Sequence, residues 1–97
     1  MNIEFDKKKR ESNYAKHGVD FLKAALIFKR PTLTVLDNRR DYGEERFVSM
    51  GMADDELLVV VHTERNASIR IISAWKGGGK EHEKYEEFLT RRDTEEI

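Results

Sequence analysis

An α+β domain of element order β-α-α-β-β-β-β-α, with an antiparallel sheet of four main strands carrying helices, is the fold class the 97-residue sequence predicts. Three observations lead there. Apolar residues recur at helical spacing before Pro31, β-branched and apolar segments separated by short polar turns follow it, and helical spacing returns after the glycine run Gly77 to Gly79. The length is that of one domain, so residues 1–97 are expected to form a single unit with no cleft between lobes.

Asn2 to Phe5 alternates polar and apolar residues, the mark of a short edge strand. From Lys7 the residues favour a helix, with Asp6 placed to cap its first turn and Gly18 where a helix ends in the left-handed conformation, which predicts a helix over 7–17. Asp20 caps a second helix in which Phe21, Ala24, Ala25 and Phe28 form one buried stripe, and Pro31 ends it.

Thr32 to Leu36 reads as a strand, joined by the polar loop DNRRDYGEE to the strand RFVSMGM. Asp54 and Asp55 turn the chain into ELLVVVHTE, whose unbroken apolar stretch suits a central strand covered on both faces. RNAS turns it again into IRIISAW, and short links of this kind make neighbouring strands pair. Beyond the glycines, KEHEKYEEFLTRR carries Tyr85, Phe88 and Leu89 on one stripe of a charged surface helix, and the tail over 93–97, DTEEI, is expected to fray.

Composition narrows the function classes. Hydrophobic and charged residues each make up 38% of the chain and mean hydropathy is -0.74, so the core is small and a partner is expected. No cysteine is present, which removes disulfides, thiolate catalysis and Cys-type metal sites and fits a reducing cytoplasm. The longest apolar run, Leu57 to Val61, is far below the ~20 residues of a membrane span, so no membrane role is expected. The net charge of -1 hides an asymmetry: residues 1–47 hold 11 Lys/Arg against 8 Asp/Glu, and residues 48–97 hold 7 against 11. A basic half can meet phosphates or an acidic partner.

Ordinary hydrolase templates are absent. His17, His62 and His82 stand apart without metal-ligand spacing, the glycine run lacks the rest of a phosphate-binding loop, and Ser49 and Ser73 lie inside predicted strands rather than on a nucleophile elbow. No cofactor is expected. One chemistry that needs neither metal nor side-chain nucleophile is RNA cleavage by its own 2′-hydroxyl, which asks only for a base, an acid and cations around the charged phosphorane. His62, Arg65, Arg70, Trp75 and Lys76 lie along one predicted hairpin, which can bring several of them together. Each also has a plain reading: a core histidine, a turn arginine, an outward strand arginine, and for Lys16 and His17 favourable cations at a helix C-terminus.

The residues together resemble the BrnT family of toxins of bacterial type II toxin–antitoxin systems. One motif runs through Phe5, Asp6, Lys9, Asn13, Lys16, His17, Gly18, Val19 and Phe21, and a second comprises GEERFVSMGM, LLVVVHTER, IRIISA and a helix with KYEE, together spanning about residues 3–88 in the family's order. The resemblance implies a small fold like that of RelE-type ribonucleases, metal-independent RNA cleavage that stops translation in the cytoplasm, and neutralisation by a BrnA-type antitoxin with a ribbon-helix-helix DNA-binding part. Operator DNA would be met only through that antitoxin.

By motif, Lys16 and His17 match the family's KHG, and His62, Glu64 and Arg65 its HTER. Arg65 and Lys76 are thereby expected to stabilise phosphate charge, His62 or His17 to transfer the proton, and Lys16, Arg70, Trp75 and Lys80 to bind substrate, with no metal. After ISA the family usually continues with arginine and further basic residues, whereas this chain reads Trp75, Lys76, Gly77, Gly78, Gly79, Lys80. Trp75 thus stands where an arginine is usual, which admits a rival expectation of a catalytically weak homologue that serves as an antitoxin-binding module. The glycine run is expected to be a flexible joint rather than an anion nest.

Overall fold

The computed structural model describes residues 2–95. Its elements are β1 (Asn2–Phe5), α1 (Lys7–His17), α2 (Phe21–Ala24) continued by a 3-10 helix (Ala25–Lys29), β2 (Leu33–Leu36), β3 (Phe47–Ala53), β4 (Glu56–Arg65), β5 (Ser68–Lys76) and α3 (Gly79–Glu95).

Helix α1 has the predicted bounds for the predicted reasons. The Asp6 carboxylate accepts a hydrogen bond from the Lys9 amide at 3.1 Å, and Gly18 closes the helix at φ 68° while its amide donates to the Tyr14 carbonyl. The next helix is not one α-helix. It tightens after Ala24 into 3-10 geometry, whose three-residue period puts Ile27 with Phe21 and Ala24 on the fully buried face, while Ala25 and Phe28 of the expected stripe are partly buried against the same core. This segment lies close on β3: a Cβ at Gly51 would stand 3.2 Å from the Ile27 Cβ and 3.1 Å from the Thr32 Cγ2, so a side chain there would require these neighbours to shift by a few tenths of an ångström.

The sheet has five strands in the order β1-β5-β4-β3-β2 and is mixed. The four antiparallel strands predicted from their short links pair as a meander, but β1 joins them, parallel to β5, through Asn2↔Ser68 to Phe5↔Ile71. Parallel pairing requires a long crossover, and sequence alternation in a four-residue strand does not indicate its partner.

The β4-β5 hairpin turns at Asn66 and Ala67, both left-handed (φ 48° and 66°), so Arg65 opposite Ser68 ends β4 instead of lying in the turn. A bulge interrupts this hairpin: Val61 faces Ser73 but His62 faces Ile71, leaving Ile72 as the extra residue.

The core is formed by β4 and β5 residues Leu58, Val60, Ile69, Ile71 and Ala74 under Val19, Phe21, Ala24 and Ile27. Helix α3 begins at Gly79 and runs past the predicted Arg92 end, so residues 93–95 of the tail expected to fray are helical, and 96–97 lie outside the described residues. Tyr85, 5% exposed, anchors it by donating its hydroxyl to the Pro31 carbonyl at 2.7 Å. Of the glycine run, Gly77 donates to the Leu57 carbonyl and Gly78 donates to Glu81, so the expected joint is a hydrogen-bonded corner.

Candidate functional site

The buried Asn13 side chain sets the position of α1 on the sheet. Its amide nitrogen donates to the Val19 and Ala74 carbonyls (3.1 and 2.9 Å), and its oxygen accepts from the Ala74 amide at 3.0 Å. Residues Ile72–Lys76 of β5 extend beyond β1, and Asn13 meets this stretch where a further strand would otherwise pair.

Fixing Asn13 there carries Lys16 and His17, in the last turn of α1, to the end of β5. The His17 and Trp75 ring centroids are 6.1 Å apart, and Lys16, His17, Trp75 and Lys76 line one shallow open depression. A second depression adjoins it, sharing Lys16 and His17 and adding Lys9, Ser12 and Ser73. Lys76 is 64% exposed, and its ammonium lies 3.3 Å from the Glu56 carboxylate, which Lys23 also engages. These contacts, the Lys23 hydrogen bond foremost, hold the Glu56 carboxyl below its ordinary range.

The bulge decides what else shares this surface. In a regular strand Trp75 falls on the same face as Ile69 and Ile71, against the helices. The extra residue Ile72 reverses the alternation, so Ala74 enters the core while Ser73 and Trp75 join Arg70 on the other face. By the same register Thr63 and Arg65 of β4 lie on that face. Arg70 is half-buried opposite Thr63 and beside Glu4. Lys80 is exposed in the first turn of α3.

The structure does not bring all the expected residues together. Arg65 faces Ser68 whereas Lys76 faces Leu58, eight residues further along β5, or roughly 26 Å at strand spacing, so the two do not hold one phosphate. Arg65 instead lies 3.5 Å from Glu44. His62 is a core residue, 1% exposed, with its ring against Phe28 and stacked on Phe47. Its Nε2 shares a 2.7 Å hydrogen bond with the Ser49 hydroxyl, which in turn meets Thr34, while its Nδ1 has no partner. Burial pushes its pKa below the ordinary histidine value, against a smaller opposing effect of Glu64. An enclosed neutral ring does not reach a substrate, which leaves His17 as the accessible histidine of the expected pair.

One polar cluster escaped the sequence reading. In the β2-β3 loop the buried Asp37 carboxylate accepts two bonds from the Arg39 guanidinium (2.8 and 2.9 Å) and one from the Tyr42 hydroxyl, and Arg46 stacks 4.1 Å over the Tyr42 ring. The Arg39 guanidinium holds the Asp37 carboxyl far below the usual carboxylate range. The only sequence signal was an aspartate just after an apolar strand and two residues before an arginine pair, too common a pattern to single out.

Among the described residues no group of three or more His, Cys, Asp or Glu is placed to hold a metal ion, and no helix is long and apolar enough to cross a membrane. No curated protein matches the chain. A family model does match: that of the ribonuclease toxin BrnT of type II toxin–antitoxin systems, over residues 5–81, from the end of β1 into the first turn of α3. That span includes both the Asn13–Ala74 joint and the His17–Trp75 depression, and the chain therefore belongs to the BrnT family of ribonuclease toxins, with an antitoxin as its partner and RNA as its substrate.

Proposed function

We propose that the toxin cleaves RNA without a metal ion, at the corner between the end of α1 and the end of β5. The observation that carries this reading is the 6.1 Å approach of His17 to Trp75 with Lys16 and Lys76 around the same depression. His17 takes the proton of a 2′-hydroxyl, whose oxygen attacks the adjacent phosphorus, the 5′-oxygen leaves and receives a proton from solvent, and a 2′,3′-cyclic phosphate forms. Lys16 and Lys76 stabilise the phosphorane, and Trp75 stacks on a base. Arg70, Arg65 and Lys80 hold the strand at a distance from the reacting phosphate. On this reading the fold is RelE-like, the damage to RNA stops translation in the cytoplasm, and a BrnA-type antitoxin with a ribbon-helix-helix part neutralises the toxin and carries it to operator DNA.

Incubating purified protein with RNA in the presence of EDTA tests the chemistry. Cleavage should persist and leave cyclic or 3′-phosphate ends, and 3′-hydroxyl ends would overturn the mechanism. A second reading, a weakly active homologue that chiefly holds its antitoxin, is favoured by Trp75 at a position where the family motif carries arginine and by the turn of Lys76 toward Glu56. Expression that leaves growth normal with abundant folded protein would select it.

A further inference from the structure

The two edges of the sheet are guarded differently. At one edge β1 displays Asn2 and Glu4, polar side chains that discourage further pairing. At the other, β2 reads Leu33-Thr34-Val35-Leu36, with no charge or proline in the strand and with Val35 55% and Leu36 46% exposed. The Asp37 amide donates to the Arg46 carbonyl at 2.7 Å, so residues of its parity, Leu33 and Val35, turn their backbone groups toward β3. The amides and carbonyls of Thr34 and Leu36 therefore point outward, an unpaired ladder on an apolar strand.

We infer that this edge is the docking site of the antitoxin, which adds an extended apolar segment with acidic flanks as a sixth strand beside β2. Three features define the occupant. Its backbone pairs with Thr34 and Leu36. Val35 and Leu36 point to opposite faces, so an added strand finds an apolar neighbour on each and is itself apolar on both. On the Val35 side, Leu33 and Phe88 border a depression whose rim carries Lys84, Arg91 and Glu87; Glu87 pairs with Arg91 at 2.6 Å, so the Lys84 ammonium is the cation left to meet an acidic residue of the incoming chain.

The inference rests on the reading of the chain as a toxin with an antitoxin partner, here tested with a purified BrnA-type antitoxin. Leu36→Pro removes one outward N–H and leaves the β2-β3 ladder intact, as edge strands allow, and Val35→Lys places a charge on the exposed face. Calorimetric titration should show each variant binding the antitoxin at least ten-fold more weakly, with circular dichroism and RNA cleavage by the toxin alone unchanged. Unaltered affinity in the folded variants would overturn the docking site and leave the toxin reading standing; if Leu36→Pro does not fold, Val35→Lys decides. Absence of binding by the parent protein would overturn the partner as well. A parent dimer that Val35→Lys converts to monomer would make a second copy the occupant and also overturn it.

Discussion

Asn13 and Ala74, 61 residues apart in sequence, are joined by two hydrogen bonds in which one side-chain amide satisfies both the carbonyl and the N–H of a strand residue. This link ties the end of α1 to the open edge of β5, where His17 approaches Trp75.

Asn13→Ala leaves buried backbone groups of Ala74 without partners. It should cost about 2–4 kcal/mol in denaturant unfolding and lower RNA cleavage although Asn13 touches no substrate. Fluorescence of Trp75, the sole tryptophan, reports the loosened corner, and an unchanged spectrum with unchanged stability would contradict the linkage.

The two histidines should separate catalysis from folding. His17 is exposed, so His17→Ala should shift stability by no more than about 0.5 kcal/mol while lowering cleavage by about 100-fold or more. His62→Ala empties a packed position between Phe28 and Phe47 and should cost about 2–4 kcal/mol. The reverse pattern would return the proton transfer to His62.

Burial lowers the pKa of His62, so below the ordinary histidine value of 6.5 the unfolded chain binds a proton that the folded chain refuses. Stability should therefore fall as pH drops from 7 through 6.5 toward the lowered folded value, by up to about 1.4 kcal/mol per pH unit, and then level off for this group. Asp37 has a lowered pKa too, but its contribution is present above the ordinary carboxylate value of 3.8 and is lost only at more acidic pH. Thermal melts of the parent and of His62→Gln between pH 7 and 5 check the assignment: the variant should lack the slope.

Arg65, at the end of β4 opposite Ser68, and Lys76, at the far end of β5 opposite Leu58, are too far apart to meet one phosphate, so on the proposed reading they act on different parts of a bound RNA. The effects of Arg65→Ala and Lys76→Ala on cleavage, expressed as free energies, should therefore add within about 0.5 kcal/mol in the double variant. A strong departure from additivity would indicate one shared phosphate.

Asp37→Ala removes the acceptor that closes the β2-β3 loop on Arg39 and Tyr42. Trypsin should then cut after Arg39 or Arg40 several-fold faster than in the parent, since loop opening becomes easier. Equal cleavage rates would mean that the cluster does not restrain the loop.

What the sequence determined by itself was local. Asp6 and Gly18 set the ends of α1 because a carboxylate cap and a left-handed glycine act within a few residues, and the short polar turns made β2 to β5 a meander. Lys16 and His17 could likewise be placed together, one turn of helix being enough. The parallel seat of β1 beside β5, the burial of His62 and the distance between Arg65 and Lys76 were settled by tertiary structure, because each depends on which surfaces pack rather than on the residues adjacent in the chain. The bulge at Ile72 shows the difference most sharply: one unpaired residue inverts the alternation of β5, sends Ala74 to Asn13 and the core, and turns Trp75 out to the face of Arg70. Period-two reasoning has no means of anticipating it, since a bulge is stabilised by the pairing and packing of a strand with its neighbours and not by the composition of the strand itself.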